Sequence, residues 1–202
     1  DFLLLDEDHL CIIIGDVSGK GIPAALFMAV TRSFLRAFFH EESDPATVFR
    51  RLNDELAGQG EANMFVTLFA AIVHLPSGQV RFTNGGHNPP YVLRAGGTLD
   101  TLPKVGGIIV GAIPNMAYLT GTFLLCSGDT LVLFTDGVTE AQNVAGDFFG
   151  EDRTEEQLLR LKGASAEHLV KAMRDLVGAF AEGAEQSDDI TLMAFRYLGR
   201  GK

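Results

Sequence analysis

The sequence predicts an α+β fold in which mostly antiparallel sheets carry helices on their faces. Short apolar runs of strand length outnumber helical stretches. Hairpin-length gaps rich in Gly, Pro, Asn and Asp separate most of these runs, and Gly accounts for 23 of the 202 residues. Helical periodicity is confined to two stretches near the start and two near the end. A chain this long hides roughly 70% of the surface it exposes unfolded, enough for a core without staples. Hydrophobic residues at 47% and charged residues at 21% exclude disorder and low-complexity fibre.

Leu3–Leu5 and Leu10–Ile14, split by Asp6–Asp8, read as a hairpin. The second run, with Ile12, Ile13 and Ile14, is uninterrupted, as expected of a strand buried on both faces. It ends at Gly15-Asp16-Val17-Ser18-Gly19-Lys20-Gly21, and Pro23 stands where a helix can start, because the first turn does not need its N–H. Ala24–Phe39 places Phe27, Val30, Phe34 and Phe38 at helical spacing, predicting a core-facing stripe. Pro45–Ala57 predicts a second helix capped by Asp44. Strands follow at Phe65–Leu75, Gln79–Thr83, Tyr91–Arg94, Leu99–Leu102, Leu119–Leu125 and Thr130–Phe134. Thr154–Leu161 and Ser165–Glu182 read as helices, and Ile190–Tyr197 closes as a strand. No repeat and no linker divides residues 1–202, which read as one domain.

The 26 acidic residues against 16 basic ones give a net charge of −10. Such a surface repels phosphate backbones, which argues against nucleic acid and anionic membranes and suits a site that gathers divalent cations. Cys11 and Cys126 both sit in apolar runs and read as buried structural thiols of a cytoplasmic protein, not as a disulfide framework. The chain opens on acids where a signal peptide needs positive charge, and without an initiator Met it reads as an excised piece. Val105–Gly128 is uncharged and long enough to span a bilayer, but Pro114, Asn115 and four glycines break it into strand-length pieces.

Three acidic positions share one setting, an apolar strand running into a short polar turn with Asp at its tip. They are Asp16, Asp136, and the pair Asp188–Asp189 just before Ile190–Ala194. Carboxylates on rigid strand ends are hard oxygen ligands of the kind Mg²⁺ or Mn²⁺ prefers. Taken singly, each is as well explained as a turn residue or a cap, and spacing alone leaves both readings open. Gly15–Gly21 does not match a phosphate-binding loop, since Lys20 falls between Gly19 and Gly21 and no Ser or Thr follows. Ser18 has no His or Asp partner at a recognised spacing. His87, in Gly-Gly-His-Asn-Pro-Pro, is the one histidine in an unusual setting, and holding turn backbone explains it better than base catalysis does.

These residues lead to a resemblance. Gly15–Ala25, Met64-Phe65-Val66-Thr67-Leu68, Gly85–Pro90, Leu133–Ala141 and Gln186-Ser187-Asp188-Asp189-Ile190-Thr191-Leu192 are similar, in order, to the signature blocks of the SpoIIE-like (RsbU-like) bacterial branch of the PPM metal-dependent serine/threonine phosphatases. The resemblance implies two antiparallel sheets packed as a sandwich with helices outside, and two Mn²⁺ or Mg²⁺ ions at one edge. It assigns Asp16 as the bridging ligand and the Val17 carbonyl as a further one. Asp136 and Asp188 would bind the other ion, with Asp189 as second choice for the Asp188 role. Two departures stand out. The family opens with Gly-Gly-Asp-x-x-Asp, and Asp1 aligns with the second Asp, so the resemblance implies truncation inside the first motif and one incomplete metal position. Eukaryotic relatives also place a proton-donating His where Ser18 stands.

The function implied is hydrolysis of phosphoserine or phosphothreonine by water activated between two ions. The substrate implied is a phosphorylated anti-anti-sigma-factor (STAS) domain, under an upstream sensor or receiver domain. The alternative from another class is a non-catalytic module of the same fold that docks a STAS partner. A metal-dependent nuclease would use the same ions but meets the wrong surface charge.

Overall fold

The computed structural model describes residues 1–57, 64–186 and 188–199, which fall into two compact units, Asp1–His87 with Pro103–Leu124 and Asn88–Leu102 with Leu125–Lys202.

The first unit holds strands β1 (Phe2–Leu4), β2 (His9–Val17), β3 (Val66–His74), β4 (Gln79–Gly85) and β7 (Gly121–Leu124), with helices α1 (Ile22–Glu41) and α2 (Pro45–Ala57). The strands form one antiparallel sheet in the order β1-β2-β3-β4-β7. Cys11 and Ile13 of β2 and Leu68, Ala70 and Ile72 of β3 share a core with Leu35, Phe38, Phe49 and Leu52 of the helices. Ile12 and Ile14 are buried as well, so β2 is covered on both faces as its unbroken apolar run predicts. Phe49 is fully buried, and truncating such a ring to Ala typically costs about 3–5 kcal/mol. Asp44 caps α2 as predicted, its Oδ2 accepting from the Thr47 N–H (3.1 Å) and hydroxyl (2.9 Å).

The second unit holds β5 (Tyr91–Leu93), β6 (Leu99–Thr101), β8 (Thr130–Phe134) and β9 (Leu192–Arg196), with α3 (Gly150–Arg160) and α4 (Ala166–Phe180). Its antiparallel sheet runs β6-β5-β8-β9. Tyr91, Val132 and Phe134 of the sheet pack with Leu158 of α3 and Leu169, Met173 and Val177 of α4. Ser165 caps α4, accepting from the His168 N–H at 3.1 Å.

Three expectations are corrected. The buried line of α1 is Thr31, Leu35, Phe38 and Phe39, whereas Val30 is exposed and Phe27 and Phe34 are half-buried. Helix α3 begins at Gly150 rather than Thr154, because Glu151 and Asp152 favour the positive end of its dipole and Gly150 enters at φ +81°. Cys11 is buried, and burial pushes its thiol well above the ordinary range, but Cys126 is exposed where its apolar run bends into the turn closed by Asp129. Residues 105–128 form no helix. Among the described residues α1 is the one helix long and apolar enough to span a membrane; its inner side packs into the first unit's core.

Candidate metal centre

Asp16 lies one residue before the end of β2, directly across from Thr67 of β3. Gly15 precedes it because a side chain there would press on the Thr67 carbonyl oxygen (2.9 Å) and the Leu68 side chain. Beyond Val17, Ser18 closes the strand pair: its N–H donates to the Phe65 carbonyl (2.9 Å) and its Oγ accepts from the Phe65 N–H (3.0 Å). That hydroxyl is therefore occupied with backbone, which explains Ser18 without a nucleophilic role. The chain then turns through Gly19 (φ +88°) and Gly21 (φ +80°), conformations that favour glycine, into α1 with Pro23 in its first turn. The Val17 side chain is in the first unit's core, which leaves its backbone as the part able to act as a ligand.

The second unit brings Asp136 and Asp188 together. Each offers a carboxylate oxygen within 4.8 Å of the other, and both residues are half-buried. Thr135, at the end of β8, organises this. Its N–H donates to the Thr191 carbonyl (3.1 Å), its Oγ1 accepts from the Thr191 N–H (2.9 Å), and its hydroxyl donates to the Asp189 carbonyl (2.9 Å). Gly137 completes the approach, since a Cβ there would collide with the Asp189 carbonyl oxygen. The Thr-Asp-Gly corner thus clasps the backbone of the Asp-Asp turn.

Within this clasp the roles of the aspartates separate. The Asp136 carbonyl accepts from the Glu140 N–H (2.7 Å) and the Thr139 hydroxyl (3.2 Å), so its backbone forms the turn. Its side chain does not: Oδ1 is buried and without a hydrogen-bond partner among the described residues. A buried carboxylate oxygen left unpaired is costly unless something else satisfies it. A divalent cation meets that need, and paired hard oxygens of this kind match Mg²⁺ or Mn²⁺. Asp188 Oδ1 accepts from the Asp189 N–H (2.8 Å) while its other oxygen remains for a ligand role. Asp189 is exposed and contributes its carbonyl to the clasp, so the geometry favours Asp188 of the two. Ser187, part of the same motif, lies outside the described residues.

His87 is 6% exposed. Its backbone is held by Asn84, whose Oδ1 accepts from the His87 N–H (2.8 Å) and whose Nδ2 donates to the His87 carbonyl (2.9 Å). The imidazole turns elsewhere, with Nδ1 at 2.9 Å from Thr67 Oγ1. Residue-by-residue reading missed Thr135 and Gly137, whose only signal was their place beside Asp136, and Thr67, whose only signal was its place in the Met64–Leu68 block.

The family profile described as Stage II sporulation protein E (SpoIIE) matches residues 6–198. Protein IcfG of Synechocystis sp. is 33% identical over 221 aligned positions, covering 96% of this chain and 34% of its own length. Phosphoserine phosphatase RsbU of Bacillus subtilis is 30% identical over 192 positions, covering 95% of this chain and 56% of its own. The chain therefore spans about a third to just over half the length of these relatives. The PP2C phosphatase domain of SpoIIE from Bacillus subtilis, solved with a fragment of its regulatory domain, superposes with a TM-score of 0.84 at 19% identity, over 97% of this chain and 55% of that one.

Proposed function

This chain belongs to the SpoIIE family of PPM-type phosphatase domains, and from that premise we propose that it hydrolyses phosphoserine or phosphothreonine on a partner protein with the help of divalent cations. The observation that carries the proposal is the buried Oδ1 of Asp136, without a hydrogen-bond partner among the described residues, next to the Asp188 carboxylate. Likeness to a relative named as a phosphoserine phosphatase supports the substrate class.

In this reading Asp136 and Asp188 would hold a divalent cation, and Asp16, with the carbonyl of Val17, would supply further metal ligands. When bound, Mn²⁺ or Mg²⁺ supplies Lewis acidity toward the phosphoryl oxygens and lowers the pKa of coordinated water to near neutrality. The chain's own residues supply placement. Thr135 and Gly137 fix the turn that carries Asp188, and the β2–β3 pairing fixes Asp16. Ser18 Oγ accepts from the Phe65 N–H, which holds that side chain on the β2–β3 pair, and the proton for the leaving oxygen would come from water or another group.

The partner we propose is a phosphorylated STAS-domain protein, with control by a sensor or receiver domain in the same cytoplasmic pathway. Hydrolysis of p-nitrophenyl phosphate by the purified chain, followed against Mn²⁺ concentration, tests the activity. Turnover that appears with Mn²⁺ and vanishes with EDTA supports it. Tight docking of a STAS protein without turnover at any metal concentration would establish the non-catalytic module instead.

A further inference from the structure

The Gly-Gly-His-Asn-Pro-Pro turn contains a buried imidazole that neither the fold nor the proposed chemistry has so far used. A turn histidine commonly earns its place by bonding its own backbone. Here Asn84 closes the turn from both sides, leaving the His87 ring for a contact twenty residues away in sequence. Two features deliver the ring to that contact. An isolated parallel bridge pairs Gly86 with Leu68, which brings the turn alongside the Thr67–Leu68 stretch of β3. Gly86 has φ +78°, and a Cβ there would press on the Ile109 backbone at 3.0 Å, so the approach requires glycine.

Thr67 faces two neighbours with a single hydroxyl hydrogen. His87 Nδ1 lies at 2.9 Å and the backbone carbonyl oxygen of Asp16 at 3.4 Å. A carbonyl can only accept. When the Thr67 hydroxyl donates to Asp16, the Nδ1 of His87 must carry its hydrogen and donate to Thr67 Oγ1. The result is a one-way chain from His87 through Thr67 to the Asp16 carbonyl. We propose that His87 and Thr67 are positioning residues for the Asp16–Val17 segment: they fix the peptide unit that joins the Asp16 carboxylate to the Val17 carbonyl. This rests on the phosphatase reading, in which that segment supplies metal ligands. Outer partners that orient ligands typically change metal affinity by about 10–100-fold when removed.

Calorimetric titration with Mn²⁺, paired with steady-state hydrolysis of a phosphoserine peptide, tests the proposal in wild type, Thr67→Val, Thr67→Ser and His87→Ala. Thr67→Val keeps the shape and removes the hydroxyl, and is expected to raise the Mn²⁺ Kd by about tenfold. It should lower kcat while leaving KM for the peptide unchanged, because the pair touches no substrate. Thr67→Ser should restore Kd and kcat to near wild type, and His87→Ala should resemble Thr67→Val. A urea melt shows whether each variant is folded; if His87→Ala is not, the Thr67 pair of variants decides. A Thr67→Val protein that binds Mn²⁺ like wild type, or a Thr67→Ser protein no better than Thr67→Val, overturns the proposal. Wild type that binds Mn²⁺ but hydrolyses nothing overturns the phosphatase reading instead.

Discussion

Replacing Thr135 by Val isolates the clasp between the Thr-Asp-Gly corner and the Asp-Asp turn. The two side chains have nearly the same shape, and Thr135 is buried at 2% exposure, so the change opens no cavity. It removes two hydrogen bonds of 2.9 Å, one to the Asp189 carbonyl and one from the Thr191 N–H, while the backbone bond from the Thr135 N–H survives. Each buried backbone group left without a partner costs about 1–3 kcal/mol. Asp189 is exposed, so water can recover part of its loss, and the net destabilisation should be about 2–4 kcal/mol. For a chain of this size 1 kcal/mol corresponds to roughly 2–4 °C, which puts the fall in Tm at about 4–16 °C. The assay is urea and thermal melting in EDTA, followed by Mn²⁺ titration. Thr135→Ser should recover most of the stability, because it restores the hydroxyl. The reasoning is refuted if Thr135→Val melts within experimental error of wild type, or if Thr135→Ser is no more stable than Thr135→Val.

The other predictions concern the same turn and one distant ion pair. Asp136→Asn removes the charge from the buried oxygen and should lower phosphatase activity by at least about 10²-fold, a few kcal/mol of barrier, with the metal-free fold intact. Millimolar Mn²⁺ should raise the Tm of wild type, by about 2.7 kcal/mol of stabilisation at a hundredfold excess over Kd, and Asp136→Asn should abolish most of that rise. Gly137→Ala forces the Asp189 carbonyl away and should cost about 1–3 kcal/mol, measured by urea melting. Burial pushes the Asp129 carboxyl up, but the Ala95 N–H, Arg94 and the Cys126 N–H outweigh it and hold the group below its ordinary value. A depressed native pKa means its stabilisation is complete above about pH 4 and fades as pH falls further, so Asp129→Asn should be destabilising at pH 7 and much less so at pH 3.

How much of this was legible in the sequence depended on the range of the interaction. Strand runs bounded by Gly, Pro and Asp turns, such as Gln79–Thr83 and Thr130–Phe134, came close to their observed limits, because side-chain type and turn chemistry act locally. Helix α2 was read to the residue from Asp44, Pro45 and the apolar spacing that follows. Helix α1 was harder: it is apolar on several sides, and Ile22, Leu26 and Val30 are exposed, so periodicity alone could not choose the buried line. The start of α3 was missed because no side chain caps it. The aspartates were visible as acids at strand tips, and the roles proposed for them come from the resemblance. The groups that position them were not visible. Thr135 and Asp189 are 54 residues apart, Thr67 and His87 are 20 apart, and only the strand pairing joins them.

The most direct measurement is phosphate release from a serine-phosphorylated STAS protein by the purified chain, recorded across a Mn²⁺ titration for wild type and for Asp136→Asn. The account predicts release that saturates with Mn²⁺ in wild type, disappears in EDTA and is at least about 10²-fold slower in Asp136→Asn. Release that is independent of metal, or equal in the two proteins, would contradict it.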